Sequence, residues 1–265
     1  MIKKYILIAL PLLMLMGSCN NFNKLLKEGD PETKLAMAME YYENEDYFRA
    51  LQLFDNVMPY FRGRPEMEKI YYYYAWSFFN MEQYLMAAYH FRNLAKTFPN
   101  SKYTEECYFQ AAYCKYAVSP EPSLDQSNTQ EAINELQLFI NKYPNSDLVG
   151  KCNALIDELR MKMEVKAFEI AKLYFFIEEY QAAIVAMNNV LEDYPGTKYK
   201  EEAMYIIAKS NYFYASGSVY EKQKERYQST LEACKNFSRV FPESKYAKEV
   251  MSFEKKAQAE LENIN

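Results

Sequence analysis

The chain has 265 residues, 50% of them apolar and 17% aromatic, enough for one large or two small domains with cores of their own. Its formal net charge of −5, from 31 Lys and Arg against 36 Asp and Glu, argues against nucleic acid as a partner. Six glycines form no phosphate-cradling pattern and His90 is the single histidine, which nearly removes histidine-based triads and multi-histidine metal sites, so no catalytic residue, metal or cofactor is expected.

The N-terminus reads as a targeting segment. Lys3 and Lys4 precede an apolar run from Ile6 to Met16, followed by Gly17, Ser18 and Cys19, the charge order and small-residue ending of a secretory signal over residues 1–18. The run is too short to span a bilayer. The stretch "LMGSC" resembles a bacterial lipobox, which implies cleavage before Cys19 and lipid on Cys19. The membrane then holds the protein by fatty chains, each buried CH₂ contributing about 0.8 kcal/mol. Residues 19–31 are expected as a lipidated tether, and "NNFNKLLKEGD" lacks the acidic run that, by resemblance, marks export to the outer surface, so the periplasmic face is expected. Losing Lys3 and Lys4 with the signal moves the net charge from −5 to −7.

Beyond residue 31 the chain repeats itself. "TFPNSKY", "KYPNSDL", "DYPGTKY" and "VFPESKY" each close a segment, and fifteen residues before each proline stand Tyr84, Thr129, Tyr180 and Tyr227. Three residues on comes a small side chain (Ala87, Ala132, Ala183, Thr230), and four further an apolar one (Phe91, Leu136, Met187, Cys234). That spacing is one helical stripe on which the small residue admits a second helix, and the proline ends the helix. Ser101, Ser146 and Ser244 are placed to cap the next one. The partner helices repeat as well. Ala38, Ala75 and Ala112 are 37 apart, as are Ala171 and Ala208.

The pattern resembles the tetratricopeptide repeat over residues 32–250, which implies an all-α solenoid of about five helix pairs. Residues 32–147 are expected to hold repeats 1–3, and residues 148–265 a long connecting helix, repeats 4–5 and a capping helix. "VSPEPSLDQSN" and "ASGSVYEKQKE" read as insertions inside repeats three and five, and the breaker-free stretch from Leu148 to Tyr180 as one long helix or two stacked ones.

"KIYYYYAWSFFN" carries the candidate site. Tyr71, Tyr74 and Phe78 take core positions around Ala75, leaving Tyr72, Trp76 and Phe79 on a second face. Leu35, Met39 and Tyr42 hold the equivalent positions in the first unit, and Phe109, Tyr113 and Tyr116 those in the third; Lys172 and Lys209 break the pattern later. In tetratricopeptide arrays this face lines the groove. The alternatives are extra packing or a groove for an extended or turned peptide with large apolar side chains, since wide aromatic patches mark partners.

The remaining chemistry-bearing residues are expected in plainer roles. Cys107 and Cys114, seven apart on one helix, rise roughly 10 Å from each other, beyond disulfide reach. A Cys152 to Cys234 bridge stays open beside the reading of buried thiols. The acids of "NEDY" and "EEY" fall at turns, Arg62 and Arg64 at an exposed turn with anion holding as the alternative, and His90 at the surface. The tail from Ala247 reads as a capping amphipathic helix.

Lipobox, short tether, repeats of 37 or more residues, the "YPNS" and "DYPGT" turns and the long stretch from Asn153 to Pro195 together resemble the BamD family, lipoproteins of the outer-membrane β-barrel assembly machine. The resemblance implies a non-enzymatic scaffold at the periplasmic face of the outer membrane. Its C-terminal repeats would dock the POTRA domains of the barrel-forming insertase, and its N-terminal groove would bind the C-terminal targeting strands of unfolded barrel proteins. Two other readings accompany it: a periplasmic coordinator of cell-wall synthesis, whose coiled-coil N-terminus residues 20–31 are too short to supply, and a glycan-binding lipoprotein, since aromatics also stack on sugars.

Overall fold

Alanine at the helix crossings sets how closely this chain packs. In the computed structural model, which describes residues 21–264, Ala38, Ala50, Ala75, Ala87, Ala171, Ala183 and Ala208 are all 0% exposed. The larger partners of the repeating stripe, Phe54, Phe91, Leu136, Met187 and Cys234, are 0% exposed too. Small against large along one helical face thus fixes each helix pair.

The described residues form helices and no strand: α1 (residues 21–28), α2 (Pro31–Glu43), α3 (Tyr47–Phe61), α4 (Glu66–Asn80), α5 (Tyr84–Thr97), α6 (Thr104–Ala117), α7 (Ser127–Lys142), α8 (Val149–Phe176), α9 (Tyr180–Asp193), α10 (Lys200–Ser216), α11 (Tyr220–Val240) and α12 (Ala247–Ile264). The fold is all-α and of the tetratricopeptide type. Among the described residues no helix is long and apolar enough to cross a membrane. The expected signal, residues 1–18, and Cys19 lie outside them.

Two compact units divide the chain. The first comprises the described residues to Pro120 and Gln126–Leu159; the second comprises Glu121–Asp125 and the residues from Arg160 onward. In the first, α2 to α7 each pack on the next, around a core running from Phe22 through Phe54, Ala75 and Phe91 to Cys114. In the second, Phe168 and Ala171 of α8, Met187 and Val190 of α9 and Ile206 of α10 make one cluster. Val250 and Phe253 of α12 close another over Ala208 and Cys234. The tail is the apolar-faced helix its spacing suggested.

Three turns within pairs share one build, and four turns between pairs share another. Between the helices of a pair, Glu45, Glu82 and Glu178 adopt φ of 63°, 58° and 64°. There the next residue's N–H reaches back to Tyr41, Phe78 and Tyr174 oxygen, each at 2.9 Å, which ends the helix with a left-handed residue. Between pairs, Phe98, Tyr143, Tyr194 and Phe241 stand before proline, with φ from −122° to −129°, the extended region a following proline enforces. Ser101, Ser146 and Ser244 accept the N–H two residues on, at 3.3, 3.2 and 2.9 Å, as does Thr197 at 3.1 Å. They brace the turn rather than cap the helix. The residues that begin α6 and α10 follow Tyr103 and Tyr199 instead.

Several expectations are corrected. "ASGSVYEKQKE" is no loop: it extends α10 to Ser216 and starts α11 at Tyr220, with three residues between. The stretch from Leu148 is one 28-residue helix, α8, the first of its two readings. From Asn21 the expected tether is helical and docked, with Phe22 8% exposed. All four described cysteines are free and buried, so Cys152 and Cys234 are not bridged. Arg62 and Arg64 lie at an exposed turn, as expected, where Arg64 pairs with Glu32 of α2 at 3.3 Å and lies over the Phe61 ring. His90 is half-buried, packed among rings rather than free at the surface.

Candidate peptide-binding face

Tyr72, Trp76 and Phe79 share one side of α4, and each is half-buried. The Tyr72 ring stacks on Tyr103 at 4.2 Å and meets Trp76 edge-on at 6.1 Å. Trp76 in turn meets Phe79 at 5.0 Å and the buried Phe91 at 5.3 Å. Phe79 reaches Tyr113 of α6 at 6.1 Å, and Tyr113 reaches Tyr116 at 5.6 Å. The result is a continuous ladder of rings across two successive repeats of the first unit. Ring pairs of this kind add about 0.5–1.5 kcal/mol each beyond area burial, so the rings hold one another in place.

The α2 triplet joins it less directly. Leu35, Met39 and Tyr42 are half-buried against the same core, and Tyr42 meets Tyr73 edge-on at 4.8 Å while its hydroxyl accepts from Asn80 at 3.3 Å. Burial pushes the Tyr42 phenol up to about 12. Phe109 does not join the face. At 2% exposed it is covered by Phe139 at 5.7 Å and by the Lys151 ammonium at 5.0 Å from its ring.

Polar groups frame the rings. The Tyr72 hydroxyl donates to both carboxylate oxygens of Glu106 at 2.9 Å, and burial together with that carboxylate raises its pKa. Tyr116 donates to Glu158 at 2.5 Å, which lifts its phenol to about 12. The Trp76 indole N–H is buried, with the Tyr72 side chain beside it.

The second unit carries the same positions with different chemistry. Tyr205 stands three residues before Ala208 as Tyr72 does before Ala75, and Lys209 one residue after as Trp76 does. Glu249, third in α12 as Glu106 is third in α6, takes hydrogen bonds from Tyr205 at 2.8 Å and Lys209 at 3.0 Å. Lys172 pairs with Glu202 at 2.7 Å in the same way. Where the first unit offers an indole, the second closes the position with an ion pair.

Tyr103, Glu106 and Glu158 were not anticipated as part of the site. Glu106 was findable: it sits six residues before Ala112 as Glu202 sits six before Ala208, so the register of the repeat marks it. Tyr103 was findable too: it closes the repeated turn as Tyr199 and Tyr246 do, and those stack on Phe168 and Tyr205 as Tyr103 does on Tyr72.

Comparison with known proteins follows this geometry. The family described as "YfiO: Outer membrane lipoprotein" matches residues 28–223. Over 113 residues the chain is 21% identical to the outer membrane protein assembly factor BamD of Caulobacter vibrioides, a stretch covering 43% of this chain and 37% of that protein.

Proposed function

The chain belongs to the YfiO family of outer membrane lipoproteins, and from that membership we propose that it is a non-enzymatic scaffold of outer-membrane protein assembly. It is anchored through lipid on Cys19 at the periplasmic face of the outer membrane. Its C-terminal repeats dock the POTRA domains of the barrel-forming insertase, and the face at Tyr72, Trp76, Phe79, Tyr113 and Tyr116 receives the C-terminal strands of unfolded barrel proteins. The name of the Caulobacter relative supports the assembly role.

One observation carries the peptide reading: at equivalent positions the first unit places Trp76 and Tyr113, whereas the second places Lys172 and Lys209 in ion pairs. The Trp76 indole makes no ion pair, and Tyr113 meets a charge only through the Lys151 ammonium 5.2 Å from its ring; such rings suit an apolar guest, and aromatic anchors dominate such interfaces. Binding is driven by burial without covalent chemistry. A scaffold that hands its guest on needs fast release, so micromolar affinity, about −8 kcal/mol, is expected.

The direct test is an affinity pull-down of the C-terminally tagged protein from gently solubilised envelopes. Recovery of a POTRA-bearing barrel protein in near-equal amount supports the proposal. Recovery of cell-wall synthases or a glycan transporter without it would replace the assembly role with the matching alternative.

A further inference from the structure

The path from Cys19 into the fold is short in sequence. Only Asn20 separates Cys19 from α1. Three residues after Cys19, Phe22 is already 8% exposed, edge-on to Tyr41 at 5.7 Å and with the Arg49 guanidinium 5.7 Å from its ring centroid. Leu25 and Leu26 pack on the same core. Gly29 then turns the chain into α2. Its N–H donates to Leu25 oxygen at 2.9 Å, and a Cβ there would meet that oxygen at 2.7 Å, so the turn is closed by contact and needs glycine.

These distances fix which end of the first unit meets the bilayer. Three residues reach at most about 11 Å when fully extended, and the polar layer on each side of a bilayer is about 5–7 Å deep. A Cys19 whose lipid lies in the hydrocarbon therefore keeps the Phe22 end of the fold at the head-groups. At that end is a cleft of about 380 Å³ lined by Phe22, Asn23, Asp46, Phe48, Arg49 and Gln52. Phe48, on its rim at the start of α3, is 58% exposed. Charge does not favour one lipid class here: Arg49 is paired with Asp46 at 2.8 Å, and exposed Lys24 and Lys27 on α1 neighbour Glu28 and Asp30.

We infer that this end of the first unit, with Phe48 at its tip, is a membrane-contact surface whose partner is the head-group and upper acyl region of the phospholipid leaflet that receives the Cys19 lipid. The inference rests on the lipid-anchor reading above. It adds that α1 works as a rigid mount, holding the first unit in one orientation on the bilayer.

The test uses the full, natively processed protein with Phe48→Cys, labelled with an environment-sensitive fluorophore, in phosphatidylethanolamine and phosphatidylglycerol vesicles containing nitroxide-bearing lipid. Tyr60→Cys is the control: it is also 58% exposed, and lies twelve residues along the same helix, a rise of about 18 Å. The described native cysteines are buried and do not compete for label. Quenching at least about fivefold stronger at position 48 than at 60 is expected, as is loss of that difference, with vesicle flotation retained, after inserting a ten-residue Gly-Ser linker between Asn20 and Asn21. Equal quenching at the two positions in floating protein overturns the inference and leaves the anchor intact. Failure to float, with an unlipidated N-terminal peptide in mass spectrometry, overturns the anchor reading and this inference with it.

Discussion

His90 lies face to face with Phe78, ring centroids 4.9 Å apart and planes 11° from parallel. Tyr74 meets it edge-on at 4.8 Å, Tyr89 at 5.0 Å, and the Tyr71 hydroxyl is 3.4 Å from Nδ1. Burial among these rings lowers the His90 pKa to about 4, with the Asp55 charge pulling weakly the other way.

A defined pH dependence follows. The unfolded chain protonates His90 near its ordinary value of about 6.5, while the folded chain resists until about 4. The contribution is therefore fully present above about 6.5 and is lost as pH falls toward 4, by at most about 3 kcal/mol from the size of the shift. Partial solvent access brings the expectation to about 2 kcal/mol. Urea midpoints at pH 7.5 and 4.5 for the native protein and for His90→Phe isolate it from the carboxylates, which titrate in both. Parallel losses in the two proteins would mean that the imidazole is not held neutral.

Thiol reactivity gives a second check. Burial pushes Cys107, Cys114 and Cys234 up to about 12 and Cys152 to about 11, so at pH 8 almost no thiolate is present and access is blocked. An aromatic disulfide reagent is expected to modify none of the four within minutes in the folded protein and all four in guanidinium. Rapid modification of any one of them in the folded state would show that its helix pair opens.

Helix pairing was legible in the sequence because the small residue never varies far: Ala38, Ala75, Ala112, Ala171 and Ala208 mark one crossing in each pair, and proline marks most pair ends. Placement of the rings was less so. Leu35, Tyr72 and Phe109 share one helical angle by spacing, yet Phe109 alone is buried, because Phe139 and Lys151 lie over it. Such a cover comes from helices 30 and more residues away, and no period within α6 records it. His90 was misplaced for the same reason, its cage being drawn from α4. The extension of α11 was readable in principle, since "YEKQKE" is rich in strong helix formers and Gly217 alone marks the turn.

Ala75 supplies a packing test. It is 0% exposed where α4 crosses its neighbours, with Phe78 and Tyr74 packed beside it. Ala75→Leu forces three extra carbons into a filled crossing and is expected to cost about 2 kcal/mol, lowering the melting temperature by about 5 °C. Ala36→Leu, on the exposed side of α2, is expected to change it little. A thermal scan in which both variants match the native protein would mean that Ala75 does not set the crossing.

Trp76→Lys separates binding from packing most sharply. Trp76→Ala is ambiguous, since Trp76 touches the buried Phe91 at 5.3 Å and its removal leaves a gap. Lysine, by contrast, copies the Tyr205, Lys209 and Glu249 arrangement onto Tyr72, position 76 and Glu106, where the carboxylate already receives the tyrosine. The ion pair, worth up to about 1 kcal/mol at a partly exposed site, offsets part of the lost ring packing. The melting temperature is expected to fall by only a few degrees, whereas binding of a peptide ending in an aromatic strand, followed by fluorescence anisotropy, is expected to weaken at least tenfold. A tenfold loss is about 1.4 kcal/mol, within what burying one large apolar side chain supplies. Unchanged affinity in a folded Trp76→Lys protein would remove α4 from the binding face and leave its rings as packing alone.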